Sequence, residues 1–147
     1  MTPTPAGGRL AADPLVALLA RAVHSHGRAI RAGLHDRGFT DLPPSSGWVL
    51  AVLAQSPATV TELGLRLDQS KQAVSRLTEL LVQRGYAEVG RRRDHRQVVL
   101  RLTPRGSAAS AVVGEVSQRI DQRLRCLDDT RAREFRDALI DLGAPDA

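Results

Sequence analysis

The run from Thr59 to Gly85, TVTELGLRLDQSKQAVSRLTELLVQRG, constrains this chain more than any other stretch. Val60, Leu63 and Leu67 recur at helical spacing, and so do Val74, Leu77 and Leu81. The two patterns are separated by Asp68-Gln69-Ser70, too short a break for anything but a tight turn. Ser70 stands where a hydroxyl can accept from a free amide of the following helix, and Gly85 stands where a left-handed residue would end it. Two short helices joined this way form a helix-turn-helix.

With Val74, Leu77 and Leu81 turned inward, Lys71, Gln72, Ser75, Arg76 and Glu79 fall on the other side of the second helix. Glu79 apart, these are donors suited to base edges or phosphates, and they cluster in the first two turns. Recognition helices read bases from that end. Taken alone, the pattern also fits a solvated helix face. The next segment favours the first reading. Tyr86-Ala87-Glu88-Val89 and Val98-Val99-Leu100-Arg101-Leu102 read as strands, and between them lie Arg91, Arg92, Arg93, Asp94, His95 and Arg96. A basic hairpin directly after such a helix is a wing, and arginines at its tip suit the electronegative minor groove.

The run QSKQAVSRLTELLVQRGYAE, followed by DHR and LRLTPRG, resembles the MarR family of dimeric winged-helix transcriptional regulators. Asp94, Arg96, Leu102, Thr103 and Gly106 match the family's wing pattern, and the likeness extends from about Leu42 to Leu142. It implies that Arg96 enters the minor groove, that Asp94 orients it, and that Ser70 to Arg76 supply major-groove and phosphate contacts. It also implies a pocket between the dimer helices and the winged domain for a small aromatic anion, within reach of His24, Arg28, Trp48 and Val112.

Length admits one domain-sized unit: 147 residues can bury a real core. The net charge of +5 favours a polyanionic partner, although it would also fit a membrane surface or simple solubility. No apolar run approaches the roughly 20 residues that span a bilayer, and no signal-peptide segment opens the chain, so a cytoplasmic protein is expected.

Residues 1–12, rich in Pro, Gly and Thr, read as a flexible tail. Asp13 then reads as a helix cap with Pro14 at the first helical position, and the helix should end near Arg37-Gly38. Gly27 and Gly33 interrupt it, each costing roughly 1 kcal/mol against alanine unless a neighbouring backbone must come close. Leu42-Pro43-Pro44-Ser45 opens a helix in which Trp48, Val49, Val52 and Leu53 are expected to face the core. Ala58-Thr59-Val60 is expected to add a small strand to the wing. After the wing, Thr103 caps a long helix starting at Pro104 and running to about Cys126. Its Ala109, Val113, Val116, Ile120, Leu124 and Leu127 are spaced as at a helix–helix seam. Asp128 reads as the cap of a last helix carrying Phe135, Ala138, Leu139 and Leu142.

The fold expected is therefore mainly α with a small β-wing, a winged helix-turn-helix over 43–102. An α-helical dimerisation region is expected from 13–42 and 103–147, because the long helix carries more apolar surface than one small winged domain covers.

Other chemistry is thin. Cys126 is the only cysteine, so no intrachain disulfide or thiolate zinc cluster is expected, and family members that sense oxidants carry their cysteine in the first helix. His24 and His26 lie two apart and diverge on a helix; no metal or other cofactor is expected. With no phosphate loop, nucleophile elbow or carboxylate pair, no catalytic residue is assigned and an enzyme is not expected. The partners expected are double-stranded DNA, a second copy of the chain and, through the resemblance, a small aromatic ligand, with no membrane. A ligand-released repressor at a pseudo-palindromic operator is the leading reading. The alternatives are a DNA-organising module without ligand response and a winged-helix protein-docking module.

Overall fold

The structure, a computed structural model, describes residues 14–91, 97–124 and 128–143. Within these the order is α1 (Leu15–Asp36), α2 (Ser46–Gln55), α3 (Val60–Leu67), α4 (Lys71–Gln83), β1 (Ala87–Arg91), β2 (Val98–Leu102), α5 (Pro104–Leu124) and α6 (Asp129–Gly143). Helices α1 to α5 surround one core, and β1 and β2 form an antiparallel hairpin on its flank. The expected winged helix-turn-helix is present.

Helix ends are where the sequence writes most clearly. Ser70 Oγ accepts from the Ala73 amide at 3.2 Å, and Asp128 Oδ1 accepts from the Arg131 amide at 2.9 Å, as their positions predicted. At the C-terminus of α4, Gly85 sits at φ 72° and donates to the Val82 carbonyl, while the Tyr86 amide reaches back to Leu81. The end of α1 repeats the arrangement, with Gly38 at φ 82°, Gly38 N–H to His35 and Phe39 N–H to Leu34. Both are Schellman closures, which satisfy orphan carbonyls and turn the next side chain back toward the helix. The two side chains so placed, Phe39 and Tyr86, meet with ring centroids 6.1 Å apart.

Several expectations shift. Pro14 is the residue before the first turn of α1, extended at ψ 139°, and no described side chain caps that helix; Asp13 lies outside the described residues. Helix α2 starts only at Ser46, because Ser45 takes a left-handed φ of 66°. Ser46 is fully buried, and its hydroxyl closes the turn by donating to the Pro43 carbonyl at 2.7 Å. The expected strand Ala58-Thr59-Val60 shrinks to one bridge, Ala58 to Leu100. Thr59 cannot continue it, since it is the cap of α3. Its Oγ1 accepts from the Glu62 amide at 3.1 Å while the Glu62 carboxylate accepts from the Thr59 amide at 2.7 Å. This capping box ends the extended run where the hydroxyl is needed.

Trp48 was expected in the core and is 38% exposed. Val49, Leu50 and Leu53 form the buried stripe of α2, and Trp48 falls on its edge, tilted against His26 with centroids 5.5 Å apart.

The long helix also differs from its reading as an intermolecular seam. Ala109, Val113 and Val116 are buried within the chain, against α1 and α2. Gly33 allows that approach, since a Cβ there would stand 3.2 Å from Val116 Cγ2 and 3.4 Å from Val112 Cγ1. Past Val116 the cover ends, and Ile120 is exposed. Leu127 and Cys126 lie outside the described residues. Helix α6 has no buried residue; Phe135, Leu139, Ile140 and Leu142 are all exposed, and Arg136 ties the helix to Asp121 of α5 at 2.8 Å.

Candidate nucleic-acid interface

Helix α4 is held by its inner face. Val74 and Leu81 are fully buried and Leu77 half-buried, while Thr78 Oγ1 donates to the Ser75 carbonyl at 2.9 Å. The opposite face leaves Lys71, Gln72 and Arg76 exposed in the first two turns, next to Ser70. Ser75 is only half-exposed, and its hydroxyl donates to Glu79 at 2.9 Å. Glu79, the one acid on this face, is thereby tied down about two turns in from the helix start. The free N–H groups and positive dipole end of α4 lie at Lys71, its exposed first residue, which favours an anion there.

The turn before α4 is tight for steric reasons. Asp68 takes φ 49°, the Gln69 amide donates to the Gly64 carbonyl at 3.0 Å, and a Cβ on Gly64 would stand 3.0 Å from the Gln69 carbonyl oxygen. The wing base is an antiparallel ladder from Ala87↔Leu102 to Arg91↔Val98. Val99 and Leu100 are buried, whereas Val89, Val98 and Arg91 are exposed. Of the wing residues singled out in the sequence, Arg91 closes the described ladder; Arg92, Arg93, Asp94, His95 and Arg96 lie outside the described residues.

Behind this interface is a cluster that sequence reasoning did not assemble. The Tyr86 hydroxyl donates to Asp41 Oδ1 at 2.5 Å, and Arg105 Nη2 meets the same oxygen at 3.0 Å. The Arg105 guanidinium lies 4.2 Å from the centroid of the Tyr86 ring and donates through Nη1 to the Arg84 carbonyl at 2.7 Å. Arg84 in turn donates to the Asp41 backbone carbonyl. Burial, then the bond to Asp41, pushes the Tyr86 phenol up to about 12, and that bond holds the Asp41 carboxyl below its ordinary range. Asp41 and Tyr86 are 45 positions apart, so no local periodicity could announce the pair. Thr103 and Gly106 complete the joint. Thr103 Oγ1 donates to the Gly85 carbonyl at 2.6 Å and accepts from the Gly106 amide at 3.1 Å. A Cβ on Gly106 would stand 2.9 Å from the Tyr86 carbonyl carbon and overlap its oxygen. The Leu-Thr-x-x-Gly spacing is thus the packing of the α5 start against the end of the recognition helix.

Residues 40–97 match the family model described as MarR family. Over that segment the chain resembles a MarR-family winged helix. The MarR family protein Rv2887 of Mycobacterium tuberculosis, solved in complex with DNA, is 26% identical over 90% of this chain and 99% of that one, with a TM-score of 0.56. The same protein solved with p-aminosalicylic acid is 28% identical, covering 90% of this chain and all of that one, with a TM-score of 0.57. FabT of Streptococcus pneumoniae, solved with DNA, shares 17% identity over 87% of this chain and 92% of that one, and the fold at a TM-score of 0.70. A comparison with curated proteins returned no match.

A cavity of about 350 Å³ lies between α1 and α2. Ile30, Leu34, Phe39 and Leu42 give it apolar walls, and Arg31, His35 and Trp48 also line it. Of the four residues singled out for a ligand, Trp48 lines this cavity and Val112 is buried in the core behind α1. His24 and Arg28 line a separate depression nearer the start of α1. One chain therefore does not bring the four together. Arg31 and His35 were missed, although they continue the i, i+4, i+7 stripe that His24 and Arg28 begin. No described helix is long and apolar enough to cross a membrane.

Proposed function

We propose that this chain is a DNA-binding transcriptional regulator that works as a homodimer and is released from its operator by a small aromatic acid. The observation that carries the DNA reading is α4: a Ser70-capped helix presenting Lys71, Gln72 and Arg76 from its first two turns, followed in the sequence by an arginine-rich hairpin. Rv2887, crystallised with DNA, supports it. In this reading Gln72 and Arg76 contact bases, Lys71 and Ser70 contact phosphate, and Ser75 joins them by exchanging Glu79 for DNA. Arg91, Arg92, Arg93 and His95 line the minor groove, and Arg96 enters it with Asp94 as its orienting carboxylate.

The organisation proposed is a winged unit at 43–102 between helical arms at 13–42 and 103–147, preceded by a tail at 1–12. The exposed apolar residues of α6 support an isologous contact between two copies. A two-fold pair of recognition helices would meet major grooves about 34 Å apart, which calls for a pseudo-palindrome. The ligand site proposed is the α1–α2 cavity, with Arg31 and His35 taking a carboxylate and Trp48 and Phe39 flanking a ring; Rv2887 with p-aminosalicylic acid supports the class. A site shared across the dimer would be needed to bring His24 and Arg28 to the same molecule. No catalytic role is proposed, and a regulator of this kind works in the cytoplasm.

The test is selection of duplexes from a random library, followed by titration of the winner at several salt concentrations. Lys71→Ala should lower affinity about equally for selected and random duplexes and flatten the salt slope by about one unit, whereas Gln72→Ala should change which bases are preferred. Failure of the wild type to enrich any duplex would overturn the reading in favour of a protein-docking winged helix.

A further inference from the structure

The Asp41, Tyr86 and Arg105 cluster joins three parts of the chain that are far apart in sequence. Asp41 belongs to the linker between α1 and α2, Tyr86 follows the recognition helix by three residues, and Arg105 is in the first turn of α5. The side chains converge on one carboxylate oxygen, Asp41 Oδ1. Arg84, the last cap of α4, is held from both sides: its carbonyl accepts from Arg105 and its guanidinium donates to the Asp41 carbonyl. Elsewhere α4 packs mainly on α3, β1 and α2, all within the winged unit. The cluster is thus a direct polar tie from the recognition helix to the arm formed by α1 and α5.

Its place beside the cavity matters. Phe39, Thr40 and Leu42 line the α1–α2 cavity, and Asp41 lies between them with its carboxylate on the other side, at Tyr86. Phe39 also touches the Tyr86 ring. Within these four consecutive residues, Phe39, Thr40 and Leu42 line the cavity while Phe39 and Asp41 contact Tyr86 at the end of the recognition helix. Tyr86 is fully buried and cannot exchange its partner for water without opening the core, whereas Asp41 and Arg105 are each close to half-exposed. A tie with one fixed end and two solvated ends can be broken without unfolding the chain.

We infer that Asp41, Tyr86 and Arg105 are positioning residues that set the angle of the recognition helix against the α1–α5 arm, with residues 39–42 as the stretch through which that angle is changed. The inference deepens the DNA-binding reading and rests on it for its purpose, but the geometry it concerns exists without DNA. Asp41 supplies the charge that both partners need, Tyr86 supplies the fixed end, and Arg105 carries the constraint into α5.

The experiment measures two intrachain distances by pulsed electron resonance in a Cys126→Ser background, with labelled chains diluted into unlabelled protein. One label pair, at Ala29→Cys and Ala73→Cys, spans from α1 to α4; the control pair, at Ala54→Cys and Ala73→Cys, stays inside the winged unit. Tyr86→Phe removes only the hydroxyl, and Arg105→Gln, at an exposed position, guards against loss of fold in the first variant. Both should shift the α1–α4 distance or broaden its distribution about twofold while the control pair keeps its wild-type width. An unchanged α1–α4 distribution in both variants would overturn the inference, and so would equal broadening of the two pairs, which is general loosening. Failure of the DNA-binding reading shows elsewhere, as a wild type that enriches no duplex, and leaves these distances to be judged by themselves.

Discussion

The winged unit and the helical arm use their apolar residues in opposite ways. From Ser46 to Gly106, large side chains turned inward are met: Leu50, Leu63, Leu81 and Tyr86 are fully buried, helices α3 and α4 have side-chain caps, and Gly64 and Gly106 sit where a Cβ would collide. In the outer part of the arm, at α6 and the start of α1, the pattern is present but unanswered, whereas Ile30, Leu34, Val113 and Val116 are buried within the chain. Helix α6 carries Phe135, Leu139, Ile140 and Leu142 with none buried, and α1 begins with Leu15 and Val16 in solvent. One region is complete in a single chain; the other is shaped for something absent from it. Exposed apolar surface on that scale in one element marks an interaction site.

The largest effect expected on that comparison comes from Leu139→Glu. Burying a leucine is worth about 1.5–3 kcal/mol, and a two-fold interface contains the change twice, so dimerisation should weaken by roughly 3–6 kcal/mol. Sedimentation should show a micromolar dimer become monomer, with the winged unit's thermal transition unmoved. A wild type that sediments as a monomer would remove the contrast at its root. A dimer indifferent to the substitution would place its interface away from α6.

Next comes the completeness of the winged unit. Gly106→Ala forces a methyl group against the Tyr86 carbonyl, a backbone atom that cannot step aside, and should cost about 3 kcal/mol or more by denaturant titration. The loss should appear equally in monomer and dimer. A cost below about 1 kcal/mol would mean that the α5 start shifts freely, and the winged unit would then be looser than its packing implies.

These two cases show what the sequence makes legible. Caps, Schellman glycines and helical stripes are local, so Ser70, Gly85, Thr103 and Asp128 announce their roles within four residues. The wing pattern of Leu102, Thr103 and Gly106 can be read as a motif, although its cause, a contact with Tyr86, cannot. Long-range choices escape. Nothing near Val113 and Val116 says whether their stripe meets α1 of the same chain or a second copy, and the first is what occurs up to Val116. Trp48 was misplaced because an α2 turn holding Val49, Leu50 and Leu53 needs no fourth core residue. Thr59 was read as strand because its β-branched neighbours look extended, while its capping box depends on Glu62 three residues on. The Asp41–Tyr86–Arg105 tie joins distant segments and gave no signal.

A third expectation uses pH to separate the regions. The Tyr86 phenol is raised from 10 to about 12, so its protonated form is favoured in the folded state. The stability linked to it is fully present below pH 10 and is lost as pH rises from about 10 toward about 12. Asp41 has the opposite sign: its lowered carboxyl contributes above the unfolded range, near pH 4, and that contribution fades as pH falls through its folded value. Tyr86→Phe should therefore flatten the alkaline limb of thermal stability between pH 10 and 12, whereas Leu139→Glu should leave that limb alone. An alkaline limb identical in Tyr86→Phe and wild type would place the titration outside the winged unit.

The smallest effect tests the arm by the substitution that breaks the winged unit. Gly27 lies in α1, and the nearest atom to a Cβ there is Arg31 Nη1 at 3.7 Å, ordinary contact with the end of a flexible side chain. Glycine in a helix interior gives up backbone entropy without return, so Gly27→Ala should stabilise the chain by about 0.5–1 kcal/mol. Gly33, two turns on, gives the internal control: its Cβ would press on Val116 at 3.2 Å, and Gly33→Ala should lack that gain. Thermal melts of the two variants at one protein concentration decide the matter. If Gly27→Ala destabilises instead, the α1 surface around it is in tight contact with something a single chain does not supply, and a second copy of the arm is the first place to look.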